Sequence, residues 1–289
     1  MTQQNNPIGI FDSGYGGLTI FEEIQKLLPQ YDYIYLGDNA RAPYGTRSYE
    51  VVYQFTRQAV LHLFHAGCPL IILACNTASA KALRTLQQCD LPQIDPSKRV
   101  LGVIRPTVEA IDSVSQTKHV GILGTSGTIL SRSYDLEIAK LFPHIHVIGE
   151  ACPMWVPLVE NREIDSPGAD YFIQKHLAHL FLQDSQIDTA LLACTHYPLL
   201  ISKIRHYLPE GIRILSQGKL VADSLNDYLF RHPEMDARLS KNGSCRFQTT
   251  ESVAKFSESA SLFLQHPVEV EQVVIQWKAY SVDSGKLSD

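Results

Sequence analysis

Long apolar runs are missing from this chain. No stretch of 18 or more apolar residues occurs in its 289 residues, so no membrane-spanning helix is expected. Clustered positive charge is missing too. Lys and Arg number 25 against 30 Asp and Glu, a formal charge of −5, and no basic run stands ready to meet a phosphate backbone. Nucleic acid is therefore not an expected partner. Met1 to Pro7 lacks the basic-then-apolar pattern of a secretory leader. The expectation is a cytoplasmic protein whose thiols stay reduced. The six cysteines, Cys68, Cys75, Cys89, Cys152, Cys194 and Cys245, form no C-x-x-C pair and no structural zinc spacing. His62, His65, His144 and His146 are scattered along the chain, so no metal is expected. There is no G-x-S-x-G elbow of a hydrolase. Ser13-Gly14-Tyr15-Gly16-Gly17 departs from G-x-G-x-x-G spacing, and Asp12 would face a phosphate, which argues against a dinucleotide cofactor.

What is present is an ordinary globular composition, 45% hydrophobic and 19% charged. Short apolar runs alternate with segments of helical period, the pattern of an α/β fold with parallel strands. Pro7 to Phe11 reads as a strand ending in a glycine turn. Ile20, Ile24, Leu27 and Leu28 then share one helical face. Tyr33 to Leu36 is a second strand, and a long helix follows Thr46. Leu70 to Ala74 reads as a central strand covered on both faces, and Thr77 to Gln87 as helix.

The pattern then restarts. Val120-Gly-Ile-Leu-Gly-Thr-Ser-Gly echoes Ile8-Gly-Ile-Phe-Asp-Ser-Gly at an offset of 112 (120 − 8). Thr189-Ala-Leu-Leu-Ala-Cys-Thr-His echoes Ile71-Ile-Leu-Ala-Cys-Asn-Thr at an offset of 119 (194 − 75). Two halves of related topology are expected, each with a glycine turn after its first strand and a cysteine after a later one. Ligands in open α/β sheets bind beyond the carboxyl ends of the strands. Asp12-Ser13-Gly14, Cys75-Asn76-Thr77 and Cys194-Thr195-His196 all fall at such ends.

Each of these two cysteines follows an apolar strand and precedes a helical segment. A thiol at a helix N-terminus is expected to have its pKa lowered toward neutrality, where it serves as base or acid. Two such groups on opposite faces of one carbon can remove a proton from one side and return it to the other. The remaining four cysteines read as small buried hydrophobes. Ser13, Asn76, Thr77 and Thr195 supply short hydrogen-bonding groups. Asp12 could accept a substrate ammonium or orient Cys75. His196 could assist Cys194 or cap the next helix. Glu160, in a polar turn, reads from the residues alone as a surface carboxylate.

At these residues the chain resembles the glutamate racemases of the aspartate/glutamate racemase superfamily. The resemblance lies in Phe11-Asp-Ser-Gly-Tyr-Gly-Gly-Leu, Gly37-Asp-Asn-Ala-Arg-Ala-Pro-Tyr-Gly, Ala74-Cys-Asn-Thr-Ala-Ser, Ala151-Cys-Pro-Met-Trp-Val-Pro-Leu-Val-Glu and Ala193-Cys-Thr-His-Tyr-Pro-Leu. Arg246 through Val274 resembles the family's C-terminal strand–helix–strand. The resemblance implies two pseudo-symmetric, doubly wound α/β domains with mainly parallel sheets and the active site in the cleft between them. The first would comprise residues 1–100 with 213–289, the second residues 101–212. It implies interconversion of L- and D-glutamate without cofactor or metal, supplying D-glutamate for peptidoglycan, by a small-molecule enzyme that is a homodimer. Cys75 would take the α-proton from D-glutamate and Cys194 from L-glutamate. Asp12, Glu160 and His196 would assist proton transfer. Asp12, Ser13, Tyr44, Gly45, Asn76, Thr77, Thr195 and His196 would contact substrate. The alternatives are an aspartate or hydantoin racemase of the same superfamily, and a non-catalytic amino-acid-binding module or thiol redox protein. Two positions depart from the family pattern. Ala193 replaces a usual glycine before the second cysteine, with a methyl expected to narrow the strand end. Ser216-Gln217 stands where aspartate is common, which puts domain-interface or regulatory contacts in question rather than the core chemistry.

Overall fold

The protein is described here by a computed structural model covering residues 6–264 and 266–275. Among the described residues, ten strands form two sheets in which every pairing is parallel. The first sheet contains β1 (Ile8–Asp12), β2 (Tyr33–Gly37), β3 (Leu70–Leu73), β4 (Arg99–Gly102), β9 (Cys245–Thr249) and β10 (Val270–Gln272), ordered β10-β9-β2-β1-β3-β4. The second contains β5 (His119–Gly124), β6 (His146–Ala151), β7 (Thr189–Ala193) and β8 (Arg213–Leu215), ordered β6-β5-β7-β8. Adding four to each label of β2-β1-β3-β4 gives the second sheet. The repeat read from the sequence is thus a repeat of topology. β1, β2, β3 and β7 are buried along their whole length, as parallel strands covered by helices on both faces must be.

This order places the switch point of each sheet between its first and third strands, the position where open α/β sheets bind ligands. In the first sheet that point lies between the ends of β1 and β3, beside Asp12 and Cys75. In the second it lies between β5 and β7, beside Thr125 and Cys194.

Several expectations need correcting. The helix after β1 spans Leu18–Leu27 and buries Leu18, Ile20, Phe21 and Ile24, while Leu27 faces solvent. Its packing stripe lies against the helices Gly218–Arg231 and Val253–Leu264 and runs through Phe21 and Ile24 rather than toward Leu27. The helical segment after Cys75 does not stop at Gln87. It passes through a π turn, Leu86–Asp90, and ends at Ile94. β8 pairs with β7, so the expected boundary at residue 213 falls one strand too early. The chain returns to the first lobe with the helix Gly218–Arg231, which packs on Leu18–Leu27. Of the four cysteines assigned to the core, Cys68 and Cys152 are buried, but Cys245 is half-buried and Cys89 is exposed. The C-terminal strand–helix–strand forms as β9, the helix Val253–Leu264 and β10.

Candidate active site

A cavity of about 100 Å³ opens between the two sheets. That is well below the roughly 300–1,000 Å³ of drug-sized pockets and suits a small ligand. Ser13, Gly14, Tyr44, Gly45, Cys75, Asn76, Thr77, Glu160, Cys194, Thr195 and His196 line it. Every expected site residue is therefore in its wall except Asp12, which lies fully buried immediately behind, with its Oδ1 accepting from the Gly14 N–H at 2.7 Å. Both thiols reach the same space, each only 6% exposed.

Cys75 caps the helix Asn76–Lys81, and its Sγ accepts from the Ala78 N–H at 3.4 Å. Ser13 Oγ lies 3.3 Å away. The expected lowering of the thiol pKa does not hold in this cavity. Burial, reinforced by the Asp12 charge, pushes Cys75 up to about 12, against the smaller opposing pull of Ser13 and the Ala78 N–H. The pull of the helix N-terminus is too weak to offset full removal from water.

Cys194 is placed differently. Thr195 and His196 separate it from a 3₁₀ turn, Tyr197–Leu200, so no helix N-terminus points at its sulfur. His196 makes no capping bond with its side chain. Its Nδ1 lies 3.9 Å from Cys194 Sγ, and its Nε2 lies 3.0 Å from Glu160 Oε1. Burial opposes the imidazolium charge, but the bonds to Cys194 and Glu160 outweigh it and hold His196 up to about 10. His196 thus lies between Cys194 and Glu160. Glu160 is the last residue of the helix Trp155–Glu160 rather than part of a turn. Burial raises the Asp12 pKa, with His196 and the Gly14 N–H opposing, and its Oδ2 finds no partner.

Glycines let the two lobes close this tightly. A side chain on Gly16 would collide with Thr195 and His196. The Gly127 N–H donates to Gly45 O at 2.7 Å, and a Cβ on Gly127 would sit 2.8 Å from that oxygen. Thr77 Oγ1 lies 2.9 Å from Thr125 Oγ1, again across the cleft.

Asn76 is held at both ends of its amide. Its Nδ2 donates to Gln217 Oε1 at 2.6 Å, and its Oδ1 accepts from the Tyr134 hydroxyl at 2.6 Å. Gln217 Nε2 in turn donates to Thr107 Oγ1 and Tyr134 Oη, each at 2.8 Å. The departure at residue 217 therefore touches the candidate site, contrary to expectation. The Ala193 methyl is fully buried in the second lobe's core opposite Gly124, outside the cavity wall, so it does not narrow the pocket. The Tyr44 hydroxyl turns away from the cavity and bonds to the buried Asp38, which also pairs with Arg41 at 2.7 Å. Tyr44 meets the cavity with its other atoms.

Thr125, Ser126, Pro153 and Pro157 also line the cavity without having been singled out. The signal for two of them was present. Thr125-Ser126 follows β5 as Asp12-Ser13 follows β1, and the echo between these turns marked the position. Pro153 and Pro157 lie within Ala151-Cys-Pro-Met-Trp-Val-Pro-Leu-Val-Glu, where an apolar proline carries no chemical signal of its own.

Residues 17–225 match the profile of the family described as Asp/Glu/Hydantoin racemase. A glutamate racemase of Roseobacter denitrificans is 41% identical over 272 residues, covering 91% of this chain and 98% of its own. One from Shouchella clausii is 39% identical over 261 residues, covering 90% and 91%. Among solved structures, a glutamate racemase isoform of Bacillus anthracis superposes with a TM-score of 0.84 at 36% identity, over 94% of this chain and 98% of that one. The Francisella tularensis glutamate racemase, solved with D-glutamate, gives 0.83 at 32% identity with the same coverage. With a profile spanning most of its length and relatives this similar over nearly all of it, the chain belongs to the Asp/Glu/hydantoin racemase family.

Proposed function

We propose that this protein interconverts L- and D-glutamate by proton transfer between Cys75 and Cys194. One observation carries the reading: two thiols, at equivalent strand ends of two sheets of the same order, face one small cavity. A substrate held there with Cα between the sulfurs loses its α-proton to the thiolate on one side. The C–H electron pair passes into the adjacent carboxylate as an enediolate. The thiol on the far side then delivers its own proton to the opposite face, and the two sulfurs have exchanged protonation states. Following the family resemblance, Cys75 acts on D-glutamate and Cys194 on L-glutamate. His196 and Glu160 serve the Cys194 side, and Asp12 the Cys75 side. Ser13, Tyr44, Gly45, Asn76, Thr77, Thr195 and His196 hold the substrate, and Asn76 arrives already oriented by Tyr134 and Gln217. No cofactor enters the scheme.

The choice of glutamate rests on the names of relatives at 36–41% identity, since the family description spans aspartate and hydantoins as well. The same reading carries a homodimer working in the cytoplasm and supplying D-glutamate to peptidoglycan. No helix among the described residues is long and apolar enough to cross a membrane. The test is racemisation of L-glutamate in heavy water. The D-glutamate formed should carry deuterium at Cα, because the donating thiol has exchanged with solvent. Product retaining the original hydrogen would refute separate acid and base. A panel including L-aspartate and 5-substituted hydantoins checks the substrate, and turnover confined to those would reassign it.

A further inference from the structure

The histidines scattered along the sequence do not stay scattered in the fold. His119 opens β5, His146 opens the neighbouring β6, and Asp184 ends the helix Pro167–Gln183 that packs across them. His119 Nδ1 lies 2.7 Å and His146 Nδ1 3.0 Å from the same oxygen, Asp184 Oδ2. The two rings stand 5.0 Å apart, centroid to centroid, and one ligand atom from each of the three residues falls within 4.8 Å of the others. We propose that these residues form a binding site for a divalent transition ion of the zinc class, distinct from the cleft and serving to clamp the base of the second lobe.

The donor set is two imidazoles and a carboxylate, which suits zinc and its first-row neighbours rather than calcium or magnesium. Tetrahedral zinc with ligands about 2.0–2.1 Å away holds them roughly 3.4 Å apart. The Nδ1–Oδ2 separations need widen by only about half an ångström to reach that. His146 is mostly exposed and can move, and the exposure leaves the fourth position to water. The carboxylate is already oriented. Its other oxygen, Oδ1, accepts the Gln186 N–H at 2.9 Å, the kind of outer support that metal-binding carboxylates have. His119 and Asp184 are largely buried, so the ion would close a site that is mostly preformed. His119 lies at the foot of β5, and the cavity begins beyond Gly124 at its head. At about 3.3 Å per residue the two are about 16 Å apart. The ion would thus act on stability and not on turnover.

The test titrates full-length protein with Zn²⁺ by calorimetry, beside His146→Ala and, as a second variant, Asp184→Asn. The expected result is one saturable site lost in both variants. Its occupancy at a hundredfold excess over Kd should raise the melting temperature by about 5 °C in the unaltered protein alone. Cobalt distinguishes this site from the thiols. The difference spectrum between the unaltered protein and His146→Ala should show tetrahedral d–d bands without thiolate charge transfer. Zinc uptake equal in all three proteins, or a difference spectrum dominated by thiolate charge transfer, overturns the site.

Discussion

Cys75 and Cys194 occupy matching places in matching sheets, yet their surroundings share almost nothing. On the Cys75 side the sulfur meets a hydroxyl, one backbone N–H and, nearby, the buried Asp12 carboxylate. On the Cys194 side it meets His196, which is held cationic at neutral pH and backed by Glu160. The backbone is duplicated and the electrostatics are not. A thiolate at Cys194 has a counter-charge 3.9 Å away, whereas a thiolate at Cys75 must form against an anion in a dry pocket. The comparison predicts that burial and Asp12 make the Cys75 thiolate costly to form, and that the two sides respond differently to changes in their neighbours.

The largest expected effect treats the two sides alike. Cys75→Ser and Cys194→Ser should each lower turnover in both directions by a factor of roughly 10³ or more, because a hydroxyl is a poor acid and base at this pH. A variant retaining near-normal activity in a coupled assay would remove that thiol from the scheme. The next effects should separate the sides. His196→Asn removes the counter-charge beside Cys194, and the weaker pull of that charge on Asp12, and should cost about 10- to 100-fold in kcat. Enantiomers have equal free energy, so kcat/KM must stay equal in the two directions for every variant. The asymmetry can show only in kcat and KM taken separately, and identical shifts of both constants in both directions would break the comparison. Asp12→Asn acts on the other side. Asp12 raises the Cys75 pKa, so its neutral replacement should let the thiolate form at lower pH. Alkylation of Cys75 in a Cys194→Ser background, followed against pH, should have its midpoint displaced downward. An unmoved midpoint would mean that burial alone sets the thiol.

A smaller effect is expected from Gln217. It belongs to the link after β8, yet its amide holds Asn76 beside Cys75. Gln217→Leu leaves the Asn76 amide half-satisfied and free to turn, a loss of about 1–3 kcal/mol in a buried hydrogen bond. KM for glutamate should rise about tenfold, with kcat less affected. Unchanged kinetics would show that Asn76 needs no such support. This residue also marks the limit of what the sequence made legible. The two cysteines, the three strand-end segments and the repeat were readable because they depend on short-range pattern: apolar strand, glycine turn, polar cap. The sequence could not show that Glu160 meets His196, or that His119, His146 and Asp184 converge, because those contacts join segments 36 to 65 residues apart. The raised pKa of Cys75 is hidden from the sequence for a related reason. Helix position is a local property, whereas burial depends on how two lobes close. The boundary near residue 213 failed because a three-residue strand offers too little periodicity to assign to a sheet.

The smallest effect on turnover should come from the feet of the two lobes, where each lobe holds one buried aspartate among gathered donors, under strands that do not correspond in the repeat. Asp32, just before β2, accepts from Asn242 Nδ2, the Ser244 N–H and Ser244 Oγ at 2.7–2.8 Å. Asp188, just before β7, accepts from Ser115 Oγ and the Gln116 and Thr117 N–H groups at 2.6–2.9 Å. Burial alone would raise both carboxyls, but the gathered donors prevail and bring each down to about 2 from 3.8. A depressed folded-state pKa stabilises the fold above the unfolded value. The contribution is complete about a unit above 3.8 and is lost as pH falls through 2. The shift corresponds to about 2 kcal/mol for each residue. Asp32→Asn and Asp188→Asn should each lower the unfolding free energy at pH 7 by about that amount, measured by urea titration, with kcat unchanged. Each should also flatten the loss of stability between pH 5 and pH 2. Matching losses would show that both lobes are pinned at the foot by a charge of similar weight and leave the asymmetry to the cleft. A loss at only one aspartate would make the lobes unequal from the foot upward, and the contrast between Cys75 and Cys194 would then be part of a general divergence rather than a feature of the chemistry.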